Sequence, residues 1–526
     1  MITHTHEDKS SGDKLKEKCA VVGIWNSKEA SKDTYFGLFA LQHRGQESTG
    51  MVTSNGSDFF VHKGAGLVSG VYTDEILSSL PGTAAIGHNR YSTSSGGGMQ
   101  HAQPILPYER CQRTQESAQH SQESTPPSHA TFALAHNGNI PSIEKMVQFL
   151  NKQGIETDEC SDSVLMTRII DVYVKKGNSV ADAIKEMYSE VTGAFSCVVL
   201  THDMLIAFRD PWGMRPLSLG RRRTQGIQGE EYTYVVASET CALDTLGAEY
   251  IRDVEPGEMV CITTGQDGFV RVDSVQISVG IQPKFDIFEF VYFARHDSVL
   301  LGQDVYEVRK RFGKLLAEER PLDVDIVIPV PETAVPAALG YSQASGIPLE
   351  FGLCKNRYIH RTFIQPTQND RDTKVRMKLL PLKQTICGKR VAVIDDSIVR
   401  GTTSKRIVKM LFEAGATEVH FLVTSAPIRF PDFYGIDTPN QEDLIASSRT
   451  AEQVRQYLGA TSLTYLTVEN MVKATGLPAD RFSLSSFTGE YPIPLFEKEQ
   501  TFSRSVPHDQ ISIESILDVQ ASEIFA

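Results

Sequence analysis

What this 526-residue sequence lacks narrows the field first. It has no run of eighteen apolar residues, so no membrane span is expected. Its first eighteen residues are polar and charged almost throughout; they lack the apolar stretch of a signal peptide and are too acidic for a typical organelle-targeting leader. It has no basic excess. A net charge of −13 argues against nucleic acid as a partner, because phosphate binding needs clustered Lys and Arg. Eight cysteines occur, but no C-x-x-C pair, so neither a zinc ribbon nor a dithiol redox motif is legible. Several, such as Cys197 in AFSCVVL and Cys261 in EMVCITT, lie in apolar runs and read as small buried hydrophobes. Their dispersal fits a reducing, cytoplasmic setting.

What is present divides in two. Hydrophobic residues make up 40% of the chain, enough for several cores. Up to about Ile262, short Val/Ile/Ala runs broken by Gly (AVVGIW, TAAIGH, TFALAHNG, FSCVVLT, MLIAFRD) predict antiparallel sheets in an α+β domain. SDSVLMTRIIDVYVKKG predicts a helix presenting Val164, Leu165, Ile169, Val172 and Tyr173 on one face. The Gln/Ser-rich segment 108–129 breaks this pattern and reads as a disordered surface insertion. The second half alternates buried-type strands with helices: VDIVIPV, AVPAALGYSQASG, IPLEFGL, KRVAVIDD, TSKRIVKMLFEAG, EVHFLVTSA. That predicts a doubly wound parallel sheet. Beyond Pro494 only ISIESILDV suggests a short docking helix.

The most specific stretch is VAVIDDSIVRGTTSKRIV. A hydrophobic strand delivers Asp395 and Asp396 to a loop of Ser397, Arg400, Gly401, Thr402 and Thr403, and a helix follows. Backbone N–H groups, hydroxyls and a helix dipole suit one phosphate, while the carboxylates suit sugar hydroxyls or hydrated Mg²⁺. No Walker loop is present. The combination implies a phosphoribosyl group.

VIDDSIVRGTT resembles the phosphoribosyl-pyrophosphate motif of type I phosphoribosyltransferases. With PVPETAVPAALGY, KNRYIHRTFIQPTQNDRDTKVRMKL and FTGEYP, it resembles in particular the glutamine phosphoribosylpyrophosphate amidotransferases. The resemblance runs from Cys19 to Pro494. It implies an N-terminal-nucleophile (αββα) glutaminase domain at 19–262, a phosphoribosyltransferase domain at 263–494, a propeptide at 1–18 and a tail at 495–526. Cys19 in CAVVGIW matches the family's first mature residue, a nucleophile whose own α-amine is its base, so removal of the propeptide is expected. Asn137 and Gly138 match the oxyanion donors, and Arg90 and Asp162 the groups that bind the α-carboxylate and α-ammonium of glutamine. Arg44 is expected in the same pocket. On the transferase side, the Asp395–Thr403 loop is expected to bind phosphoribosyl pyrophosphate, with Lys355 and Arg361 belonging to a closing segment and Thr333, Asp395 and Asp396 near Mg²⁺. The resemblance further implies feedback inhibition by purine nucleotides, a homotetramer, and ammonia passed between the sites to give 5-phosphoribosylamine for purine synthesis.

Three departures stand out. Many family members carry a [4Fe–4S] cluster on four cysteines, and here those positions hold Asp286, Asp432, Ser483 and Ser486. Oxygen donors do not replace thiolates in such a cluster, so none is expected. Ala20 stands beside the nucleophile where Gly is usual, and Glu332-Thr333 replaces Asp-Ser.

Overall fold

The computed structural model describes residues 19–91, 98–107, 130–226, 229–356, 379–436, 438 and 440–506. The expected propeptide, the 108–129 insertion, Arg361 with its closing segment and the ISIESILDV segment lie outside the described residues.

Among the described residues, twelve strands build the first half: β1 Ala20–Trp25, β2 Ser48–Ser54, β3 Phe59–Ala65, β4 Ala84–Arg90, β5 Phe132–Asn139, β6 Ala194–Thr201, β7 Met204–Arg209, β8 Ser218–Gly226, β9 Gly229–Ala237, β10 Glu249–Asp253, β11 Glu258–Thr264 and β12 Val270–Gln276. They form two antiparallel sheets, β10-β8-β9-β1-β4-β2-β3 and β12-β11-β7-β6-β5. Period-2 alternation explains the stacking. On β1, Val21 and Trp25 pack with Ala133, Val198 and Ala207 of the other sheet, while Ala20, Val22 and Ile24 pack with Leu38 of helix α1, Ala30–Ala40. Helix α2, Asp162–Lys175, covers the outer face of the second sheet through Leu165, Ile169 and Val172, as its spacing predicts. The order is helix, sheet, sheet, helix. The second sheet continues through β12, which pairs along the whole of β11, so this half ends near Gln276 rather than at 262.

The second half is built on four parallel strands in sequential order: β13 Ile326–Pro329, β14 Arg390–Asp395, β15 Glu418–Val423 and β16 Ser462–Tyr465. Helices α3, Val305–Glu319, and α4, Val335–Ser345, cover one face through Phe312, Ala338 and Tyr341; α5, Thr402–Glu413, covers the other through Ile407 and Leu411. IPLEFGL adds only a single parallel bridge, Leu349 to Val327. Among the described residues, no helix is long and apolar enough to cross a membrane. Six described cysteines, Cys19, Cys197, Cys241, Cys261, Cys354 and Cys387, are free.

Buried charges join the halves. Arg44 donates to Glu239 (2.6 Å) and to both carboxylate oxygens of Glu289 (2.9 Å each). Glu239 also accepts from the Ser298 hydroxyl (2.6 Å) and the Arg295 backbone N–H (2.9 Å). Burial pushes the Glu239 carboxyl up, but His43 and Arg44 outweigh it and hold it well below the usual carboxylate range. Arg44→Ala removes the guanidinium shared by two buried carboxylates, Glu239 and Glu289, and its expected cost is about 3–5 kcal/mol. A large fall in the temperature of the first unfolding transition checks this.

Candidate active sites

Cys19 directly precedes β1, the central strand of its seven-stranded sheet. By alternation its side chain shares the inter-sheet side with Val21, the side on which β5 ends in Asn137, Gly138 and Asn139. Cys19, Arg90, Gly138 and Asp162 line one cleft. The thiol donates weakly to Tyr91 O (3.7 Å); burial raises its pKa, and Arg90 partly opposes that shift. A resting thiol therefore needs a base. Ala20 is an ordinary strand residue, fully buried and paired opposite Asn89, so the backbone there does not require Gly.

Asp162 opens α2 behind the cap residue Ser161; its Oδ1 accepts from Ser163 N (2.8 Å) and its Oδ2 from Ile140 N (3.2 Å). Arg90, at the end of β4, is 4% exposed and donates to Glu47 (3.0 Å). Asn137 is buried, with its amide 3.4 Å from Ser238 Oγ. Gly138 has φ +154°, and a Cβ there would fall 2.0 Å from Ala194 O, so only glycine fits. Arg44 requires a correction. It does not line the cleft: its Nε supports Cys19 O from behind (3.2 Å), and the rest of its guanidinium is committed to Glu239 and Glu289. Tyr91, His101, Gln103, His136 and Ser163 also line the cleft and were not singled out from sequence. His136 and Ser163 are immediate neighbours of Asn137 and Asp162, which is the signal that would have found them.

The second site lies at the carboxyl ends of β13 and β14, where open α/β sheets hold their ligands. Asp395 and Asp396 are each 1% exposed. Thr333, between β13 and α4, donates its hydroxyl to Asp396 Oδ2, and Ser397 donates to Oδ1 (2.8 Å). Arg309 of α3 is buried and donates to Phe290 O (2.8 Å) and Ala294 O (2.9 Å); desolvation lowers its pKa to about 10, with Asp396 the leading opposing influence. Gly401 caps α5 with φ +76°, and a Cβ would lie 2.7 Å from Ile445 Cδ1. Thr402 and Thr403 open the helix, so their N–H groups lie in the turn that lacks intrahelical acceptors. Arg400 pairs with Asp443 (2.9 Å), and Lys355 lies 3.9 Å from Glu332 on the surface.

Asp286, Asp432, Ser483 and Ser486, the four positions at which the resemblance placed cluster ligands, are all buried. Arg215 donates to Asp286 (2.6 Å) and to Tyr434 O (2.6 Å) and lies 4.0 Å from Asp432. Ser483 pairs with Asp286 in a short parallel bridge, and Ser486 O accepts from Arg429 N (2.9 Å). Burial raises the carboxyl pKa values of both Asp286 and Asp432, against the opposing pull of Arg215. The folded chain therefore holds protons that the unfolded chain releases near pH 4, so this contribution to stability falls as pH rises from about 4 toward neutrality. Asp432→Asn is expected to flatten that part of the melting-temperature profile.

The segment beside Asp432 also touches the first site. Asn139 Nδ2 donates to Phe433 O (2.8 Å), and a Cβ on Gly435 would lie 3.6 Å from the Gly138 carbonyl carbon.

Fold and sites together define a two-domain amidotransferase, a glutaminase half joined to a transferase half. A family model described as a glutamine amidotransferase domain matches residues 110–245. Amidophosphoribosyltransferases from Synechococcus elongatus and Bacillus subtilis are 44% and 43% identical, each over 92% of this chain and over 93% and 96% of their own lengths. One from Methanocaldococcus jannaschii is 40% identical over 91% of this chain and 99% of its own. The solved glutamine phosphoribosylpyrophosphate amidotransferase of B. subtilis, complexed with ADP and GMP, matches with a TM-score of 0.79 at 42% identity, covering 92% of this chain and 99% of that one. The chain belongs to the amidophosphoribosyltransferase family.

Proposed function

We propose that the two sites work in sequence, converting glutamine, water and phosphoribosyl pyrophosphate into glutamate, pyrophosphate and 5-phosphoribosylamine for purine synthesis. The observation that carries this is the coexistence, in one chain, of the Cys19 cleft and the Asp395–Thr403 loop. The four-layer order, with a nucleophile opening its central strand, supports an N-terminal-nucleophile glutaminase; parallel strands with helices on both faces support a doubly wound phosphoribosyltransferase.

Once residues 1–18 are removed, Cys19 has a free α-amine of pKa near 8. That amine takes the thiol proton, and the thiolate attacks the side-chain amide carbon of glutamine. Arg90 holds the α-carboxylate and Asp162 the α-ammonium. Gly138 N–H and the Asn137 amide donate to the oxyanion. Collapse releases ammonia, and water then hydrolyses the thioester to glutamate. Asn139 and the Phe433–Gly435 segment bring the oxyanion end of β5 against the transferase half, which favours internal transfer of ammonia. There ammonia attacks C1 of the ribose as pyrophosphate leaves. Asp395 and Asp396 hold the ribose hydroxyls, and Ser397 to Thr403 with the α5 N-terminus hold the 5-phosphate.

Mg²⁺ bound with the diphosphate would neutralise the leaving group. Two carboxylates with the Thr333 hydroxyl fit an ion that keeps water and substrate oxygens as its remaining ligands. An iron–sulfur cluster does not fit, because its four positions offer oxygen donors and Arg215 pairs with one of them. Purine nucleotides as inhibitors, a homotetramer and a cytoplasmic location complete the reading. Purified chain beginning at Cys19 should release pyrophosphate from phosphoribosyl pyrophosphate when glutamine is supplied. Activity with ammonium salts alone would instead mean an inactive glutaminase.

A further inference from the structure

We propose that His136 is a positioning residue for the glutamine half-reaction, supporting the Gly138 oxyanion donor with one ring nitrogen and Asp162 with the other. This rests on the glutaminase reading above. His136 is 2% exposed and lies in the buried run of β5, directly before Asn137. Its backbone N donates to Gln103 Oε1 (2.7 Å), and its carbonyl lies 3.1 Å from the Nε2 of His88, whose pKa is pushed down to about 3, chiefly by burial. The ring is engaged on both edges: Nε2 lies 3.3 Å from Ala194 O, and Nδ1 lies 3.1 Å from Ser163 Oγ.

Hydrogen accounting assigns the tautomer. A carbonyl oxygen only accepts, so Nε2 carries a hydrogen; we assign Nδ1, which lies 3.1 Å from Ser163 Oγ and 3.9 Å from Asp162 Oδ2, as an acceptor of the Ser163 hydroxyl hydrogen. Neither ring nitrogen is left to deprotonate Cys19, which returns that task to the α-amine. Each edge has a distinct load. A Cβ on Gly138 would lie 2.8 Å from His136 Nε2 and 2.0 Å from Ala194 O, so the Nε2–Ala194 pair is the floor on which the oxyanion glycine rests. On the other edge, Ser163 Oγ accepts from Gln103 Nε2 (3.1 Å), and its one hydrogen is shared between His136 Nδ1 (3.1 Å) and Asp162 Oδ1 (3.3 Å). Without the Nδ1 acceptor, that hydrogen turns to Asp162 and competes with the ammonium of glutamine.

Two substitutions separate the edges. In His136→Asn, the amide oxygen can replace Nδ1 but nothing reaches Ala194; in His136→Gln, the amide nitrogen can replace Nε2–H but the Ser163 acceptor is lost. In the full processed enzyme, His136→Asn should lower glutamine-dependent kcat about ten- to a hundredfold with little change in KM for glutamine, because the oxyanion donor shifts. His136→Gln should raise KM for glutamine about tenfold with kcat nearly unchanged, since ground-state binding alone is weakened. Ammonium-dependent turnover should stay at the parent level in both. Equal changes of kcat and KM in the two variants, parent-like values in both, or parallel loss of ammonium-dependent turnover would overturn the proposal. A parent enzyme inactive with glutamine would overturn the glutaminase reading itself.

Discussion

Replacing Cys19 by alanine is expected to abolish glutamine-dependent pyrophosphate release while leaving ammonium-dependent release intact. The thiol is the only carbon-attacking group our reading assigns to the cleft, and binding and the oxyanion hole alone retain only a small residue of activity. Losses of about 10³-fold or more accompany removal of such a nucleophile. The second half should not register the change, because its loop stands on different strands and Cys19 touches none of it. Steady-state kinetics with each nitrogen source check both statements in one preparation. If ammonium-dependent turnover fell equally, the halves would not be separable as described.

The second large effect is expected at the end of β14. Asp395→Asn and Asp396→Asn should each reduce both glutamine- and ammonium-dependent turnover, because both routes end at the same ribose. Removing a buried charge-assisted hydrogen bond to substrate costs roughly 2–4 kcal/mol, or about 30- to 1,000-fold. Asp396 should be the more sensitive, since Thr333 and Ser397 hold its oxygens. Glutamine hydrolysis measured on its own should persist. A variant that lost hydrolysis but kept ammonium-dependent transfer would contradict the assignment of the two sites.

Much of this was legible in the sequence because its signals are local. Short Val/Ile/Ala runs marked β1, β4, β5 and β6, the Val164-to-Val172 spacing marked α2, and a buried strand ending in Asp-Asp before Gly401 marked a ligand loop. What sequence did not reveal depends on long-range packing. Arg44 lies in a motif shared with the glutamine site, yet it turns behind Cys19 because Glu239 and Glu289, far along the chain, draw its charge away. The boundary near 262 came too early because β12 is polar and half-solvated, and only its pairing with β11 shows that it belongs to the second sheet. Arg309 carries no local motif; its burial appears only when α3 packs behind β14. Asp286 and Asp432 could be read singly, but their approach to one buried guanidinium, Arg215, needed three dimensions.

The account stands most directly on the chemistry of one terminus. The decisive measurement is amino-terminal sequencing and intact mass of the purified enzyme, paired with its glutamine-dependent pyrophosphate release. A chain that begins at Cys19 and is active with glutamine is the predicted result. A chain that retains residues 1–18 and is equally active with glutamine would contradict it, because an amide nitrogen cannot serve as the base for the Cys19 thiol.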